Sequence, residues 1–419
     1  WTSGSTFEYQ WFANGVAIEG ATKWQFTVKP EQVGKKLTVR VTGSKPGYAT
    51  TSKTSAATVA VAPGALTAPV PTISGTVQVG KVLSSARGYW GSNVTFEYQW
   101  FANGVAIDGA TNWQFTVKPE QAGKKLTVRV TGSKPGYTTT SKTSAATAAV
   151  TSGEIDAPIP TISGTAQVGL SLGSARGYWG EDVTFEYQWL ANGVAIEGAT
   201  NSYYMIKPEQ VGKKITLQVT GSKDGFVTTS RTSAATDTVA PGVFTAPTPT
   251  ISGTIQVGKV LNSARGYWGE DVTYEYQWFA DGAAIDGATN WQFTVKPEQL
   301  GMKLTVQVTG SKAGYVTASK MSEATVEVAA RPMTSSIPSI SGIARVGNTL
   351  GSTRGSWTSG STFEYQWFAD GVAIDGATNS TLTLTSAEAG KKITVAVTGS
   401  KFGYVTTTET SQETVAVAE

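Results

Sequence analysis

The chain has 419 residues, no cysteine, no histidine, and 33 Lys plus Arg against 30 Asp plus Glu, a formal charge of +3. Without His or Cys, the usual triads, thiol nucleophiles and zinc sites are excluded, and domains must hold together by packing rather than disulfides. No apolar run is long enough to span a membrane, and no basic cluster exceeds pairs such as Lys35-Lys36, so nucleic acid is not an expected partner.

The first patterned stretch is Phe7-Glu8-Tyr9-Gln10-Trp11. Its period of two puts three aromatics on one face and polar groups on the other, as in a strand buried on one side. Asn14-Gly15 accepts the positive φ that a two-residue type I′ turn requires, and Val16-Ala17-Ile18 returns, so the stretch reads as a β-hairpin. Its Trp recurs as Trp100, Trp189, Trp278 and Trp367, each step being 89 residues, and its turn recurs as Asn103-Gly104, Asn192-Gly193, Asp281-Gly282 and Asp370-Gly371. One module is repeated in tandem.

Five modules are expected, at 1–62, 69–151, 158–240, 247–329 and 336–419. By the same step Trp1 aligns with Trp90, Trp179, Trp268 and Trp357, so the first module lacks about two strands. The simpler expectation is a fragment of a longer array. The alternative is that another chain donates the missing strands to an open core face, a route to self-association.

In the second module, 73–79 and 82–86 read as the first two strands, with Gly88 as a bulge, followed by the hairpin 96–107. Residues 113–118 alternate as another strand, Pro119-Glu120-Gln121 makes one turn with Pro at its start, and 126–131 alternates again. The loop from Gly132 to Tyr137 leads into a Thr- and Ser-rich closing strand near Val150, whose hydroxyls also offer sites for O-linked sugars. Seven to eight short strands per 89-residue repeat indicate an all-β chain of sandwich domains.

Glu97-Tyr98-Gln99-Trp100, then Asn103-Gly104, then Gly123-Lys124-Lys125-Leu126-Thr127-Val128 resemble the immunoglobulin-like repeats of bacterial, especially actinobacterial, surface and secreted proteins. The resemblance covers essentially the whole chain. It implies a linear array of immunoglobulin-like β-sandwiches in an extracellular setting, with Trp100 at the central core position and Val128 or Val130 where an antibody domain carries its second Cys. It implies no single activity, since such repeats serve as spacers in adhesins, wall-anchored enzymes and virion proteins.

Proline-bearing segments such as Ala62-Pro63-Gly64-Ala65-Leu66-Thr67-Ala68-Pro69 separate the modules and read as semi-rigid linkers. At about 35–40 Å per module, five modules would reach roughly 200 Å. The acid pairs Glu181-Asp182 and Glu270-Asp271 align with Ser92-Asn93 and Ser359-Gly360, which suits solvated loops rather than a paired-carboxylate site. No catalytic residue, metal ligand or cofactor is expected, and the chain is read as not an enzyme. The candidate contact residues are aromatic. Trp24, Trp113 and Trp291 share a position that is Ser202 or Ser380 in the other repeats, so they belong at a partly exposed strand end, as a lid, an inter-domain contact or a sugar platform. Tyr89, Tyr178 and Tyr267 lie at a loop edge, preceded by Arg87, Arg176 and Arg265, whose guanidinium groups are expected to stack on aromatic rings there. The sequence therefore points to an extracellular stalk at a cell surface or in a secreted protein. The alternatives are a multivalent adhesin for a surface glycan or protein receptor, and a self-assembling filament subunit.

Overall fold

A computed structural model describes all residues, Trp1–Glu419. The chain forms two compact units: Trp1–Ser163 with Gly173–Tyr204 and Thr216–Ala235, and Gly164–Leu172 with Met205–Ile215 and Thr236–Glu419. The first contains repeats one and two and most strands of repeat three, and the second contains repeats four and five.

Repeat two shows how the module is built. A three-stranded sheet, Gln114–Thr116 beside Val82–Ala86 beside Thr72–Ser74, faces a four-stranded sheet ordered Thr140–Thr143, Leu126–Ser133, Thr95–Ala102, Val105–Ala106. All of these neighbours are antiparallel. The same two strand orders recur in repeats three, four and five, so the chain is a tandem series of immunoglobulin-like sandwiches.

The alternation along Thr95–Ala102 explains the core. Trp100 is fully buried, packed among Leu83, Phe115, Val117, Leu126 and Val128 from both sheets. Its ring stacks on Phe115 at 5.6 Å and its Nε1 donates to the Asn112 carbonyl at 2.9 Å, so the indole is satisfied at both its apolar and its polar end. Trp189 stacks in the same way on Tyr204 and Trp278 on Phe293. The hairpin turn has the positive φ its sequence demands, 47° at Asn103 and 82° at Gly104. Asn103 does more than tolerate that angle: its Oδ1 accepts the Lys125 N–H at 2.8 Å and ties the turn to the next long strand.

The closing segment uses hydroxyls in place of a regular ladder. Ser144 Oγ accepts the Val128 N–H at 3.0 Å and donates to the Ala145 carbonyl, and Thr147 Oγ1 treats Leu126 and Ala148 in the same manner. These two hydroxyls of the Thr- and Ser-rich stretch are thus part of the sheet, which removes them as sugar acceptors.

Two local expectations change. The first strand spans only Thr72–Ser74, because Gly75 adopts φ +116° and turns the chain so closely that a Cβ there would stand 2.6 Å from the Val82 carbonyl; strand-like pairing resumes only as a parallel bridge from Gln78 to Thr151. Gly88 is not a bulge: it lies beyond the Val82–Ala86 strand, where a Cβ would meet Pro69 at 2.6 Å. The linkers, read as semi-rigid from their prolines, also pair with the following repeat: Gly64–Ala65 in parallel with Tyr137–Thr138 and Gly153–Glu154 with Phe226–Val227.

Repeat one has only the four-stranded sheet, and its residues 25–27 form no strand, although Gln114–Thr116 do in repeat two. An edge strand needs its pairing partner, and here no strand is present to supply one. Trp11 is accordingly only half-buried, and Val28 is 46% exposed where its equivalent Val117 is 1% exposed.

Two stability predictions follow from this packing. Trp100→Ala is expected to destabilise repeat two by about 3–5 kcal/mol, read as an early melting step for that module in differential scanning calorimetry; a loss below about 1 kcal/mol would show that the stack is not central. Ser85 and Ser263 carry buried hydroxyls with no hydrogen-bond partner. Ser263→Ala is therefore expected to leave stability unchanged or raise it by about 1 kcal/mol, whereas a clear destabilisation would mean that the hydroxyl is satisfied in solution.

Candidate functional site

The sandwich places the aromatic candidates outside its core. Trp113 immediately precedes the Gln114–Thr116 edge strand, and its carbonyl accepts the Ser85 N–H at 2.8 Å, so the backbone is fixed while the indole projects past the end of the core. The ring is 52% exposed, Trp291 is 51% exposed and Trp24, beside the unformed strand of repeat one, is 69% exposed. No other ring stacks on these three. In repeat three the same edge carries Ser202 but also Tyr203, which is 62% exposed. The 89-residue alignment alone does not single out this tyrosine, because it falls opposite Gln114 rather than Trp113.

Tyr89, Tyr178 and Tyr267 are the most exposed aromatic set, at 78%, 76% and 75%. The tryptophans beside them point the other way. Trp90 is 2% exposed, meets Phe96 edge-on at 5.6 Å and donates from Nε1 to the Arg87 carbonyl at 2.8 Å. It also lies flat against Gly132, where a Cβ would come within 2.5 Å of the ring. Tyr89 thus faces solvent while its neighbour Trp90 in the same loop turns inward.

The arginines do not stack on these loop aromatics. Arg87 lies over Phe96 at 4.3 Å from the ring centre and its Nη1 donates to the Tyr98 hydroxyl at 3.3 Å. Arg176, Arg265 and Arg354 occupy the same place over Phe185, Tyr274 and Phe363. Hydrogen bonds with Tyr276 and Tyr274 hold the Arg265 guanidinium above its ordinary pKa, so it stays charged wherever the protein is folded. These contacts fasten a loop to the start of a strand, with the arginine side chains lying along the exposed surface.

Shallow polar grooves run over the outer face of the four-stranded sheet in repeats three and four, with volumes of about 400 and 440 Å³. Glu186 and Glu275, Gln188 and Gln277, and Thr200 and Thr289 line them. Their glutamines are structural: Gln188 Nε2 donates to the carbonyls of Trp189 and Ile196. The acid pairs Glu181-Asp182 and Glu270-Asp271 sit on tight loops, with Asp182 and Asp271 both at φ +56° and the Glu181 and Glu270 carbonyls accepting from Lys223 and Lys312. No group of three or more His, Cys, Asp or Glu side chains is placed to hold a metal ion. No helix is long and apolar enough to cross a membrane.

No family model matches the chain. The chain is similar to the highly immunogenic outer capsid protein of Enterobacteria phage T4, at 25% identity over 247 residues. That alignment covers 55% of this chain and 65% of the relative, so just under two thirds of the relative's length is spanned. Among solved structures, a Ca²⁺-stabilised ice-binding adhesin of an Antarctic bacterium aligns at 13% identity and TM-score 0.31 over 84% of this chain and all of the other. The ICAM-5 D1–D4 ectodomain fragment aligns at 12% identity and TM-score 0.28 over 84% of this chain and 98% of its own. At such scores neither likeness adds to what the sheets themselves establish.

Because Trp113 projects past the core, Trp113→Ala is expected to change the stability of repeat two by less than about 1 kcal/mol. Calorimetry beside Trp100→Ala makes the comparison direct, and equal losses would show that the exposed ring is a core lid.

Proposed function

We propose that this chain is a non-catalytic, extracellular array of immunoglobulin-like modules that spaces or presents other domains away from a surface. One observation carries the reading: the repeats preserve their core and their strand order, while the exposed aromatic position changes from Trp113 to Ser202 to Trp291 to Ser380. Repetition of this kind keeps length and fold and does not keep a single dedicated site. The similarity to a phage outer capsid protein supports an outward-facing setting and puts a virion surface beside a bacterial one as the place of display.

Half-exposed Trp113 and Trp291 favour a second reading, a multivalent glycan or receptor binder in which weak repeated sites gain avidity. Small-angle scattering with light scattering across a concentration series tests the first reading. A spacer is expected to be an elongated monomer of roughly 200 Å; a compact particle would sink it. Regular growth with concentration would instead indicate strand donation to the open face of repeat one. Glycan-array binding that disappears in the folded Trp113→Ala, Trp291→Ala double variant would replace the spacer with the multivalent binder.

A further inference from the structure

The repeat boundaries share a set of contacts that the linker sequences do not announce. The N–H groups of Gly64, Gly153, Gly242 and Arg331 donate to the carbonyls of Gly136, Gly225, Gly314 and Gly403 in the following repeat, at 2.8 to 2.9 Å. These acceptor glycines have φ between +75° and +87°, and each stands against the proline that opens the short turn of the preceding repeat. A Cβ added to any of them would come within 2.7 to 2.9 Å of Pro30, Pro119, Pro208 or Pro297. Only glycine satisfies both the backbone angle and the approach.

The residue after each acceptor glycine is aromatic: Tyr137, Phe226, Tyr315 or Tyr404. Its ring lies on the linker residue, so closely that a Cβ at Gly64 or Gly153 would fall 2.7 or 2.5 Å from it, and Gly242 faces Tyr315 in the same way. Phe226 reaches further, to the core of repeat two near Gly80, and Tyr315 reaches Gly169. A lysine ammonium from the same loop covers each ring, at 4.7 Å for Lys134 and 5.1 Å for Lys223. The fourth boundary varies the chemistry. Arg331 replaces glycine, and its guanidinium lies 5.6 Å from the Tyr404 ring centre while Nη1 donates to the hydroxyl. Tyr48, the equivalent ring of repeat one, is 62% exposed, whereas Tyr137 is 39% exposed and Phe226, Tyr315 and Tyr404 are half-buried.

We propose that the Lys-x-Gly-aromatic loop is a docking plug and that its partner is the proline turn and linker of the preceding repeat, so that neighbouring repeats are held in a set arrangement rather than tethered. The inference stands whether the array spaces or binds. The linker glycine is the seat for the ring, and an arginine takes its place only where it can pair with a tyrosine hydroxyl.

Hydrogen exchange on the full 419-residue chain tests this at the second boundary. In Phe226→Ala, which leaves the glycines in place, the Gly153 amide is expected to exchange at least about tenfold faster while the Val128 amide in the core of repeat two keeps its protection. Gly225→Val, which forces a side chain against Pro119, is expected to accelerate Gly153 further. Unchanged exchange at Gly153 in Phe226→Ala overturns the proposal. Equal acceleration at Val128 also overturns it, because the ring would then be supporting the core of repeat two rather than docking two modules.

Discussion

The burial of one indole between two sheets is the interaction on which every complete module depends. Trp100, Trp189, Trp278 and Trp367 have no solvent exposure, and each donates its N–H to a backbone carbonyl twelve residues on. A large apolar ring with one satisfied polar end contributes a large share of a small core and also fixes how the sheets meet. Repeat one shows the dependence by contrast. With only one sheet over it, Trp11 is half-buried, its stacking partner Phe26 belongs to no strand, and Val28 faces solvent.

Around that core, polar side chains carry out work that composition alone would assign to the surface. Gln99 bridges two carbonyls across the hairpin, Gln121 accepts the Lys118 N–H from inside the short turn, and Ser144 and Thr147 complete a ladder that the backbone leaves open. Each buries a hydrogen-bonding group with its partner in place, which is what lets modules without disulfides close tightly. The surface is left with exposed aromatics and solvated charge. Its one ion pair, Lys392 with Glu413, is exposed and adds little to stability.

The junctions link fold to function. A spacer of the kind proposed requires neighbours that do not swing freely, and the ring-on-linker contact is the feature proposed to restrain them. A ring rests on the linker at each boundary, on glycine at Gly64, Gly153 and Gly242 and on Arg331 at the fourth, because the 89-residue repeat carries both the aromatic loop and the linker. The half-exposed Trp113 position, by contrast, varies between copies, being Ser202 and Ser380 in two of them.

The module, its period, the hairpin, its Asn-Gly turn, the inward face of the long strands and the outward place of Trp113 are legible in the order of residues alone. All of these follow from local rules: alternation of side chains along a strand, the φ allowed to each residue, and the interval between copies. The position of Arg87, the end of the first strand at Ser74 and the pairing of the linkers against the following repeat emerge only in three dimensions. Those outcomes depend on atoms far apart in sequence. Arg87 had two loop aromatics beside it but lies on Phe96, because the strand carries that ring beneath it. Gly64 and Tyr137 are 73 positions apart, and nothing in the residues near either one shows that a ring will rest on a glycine.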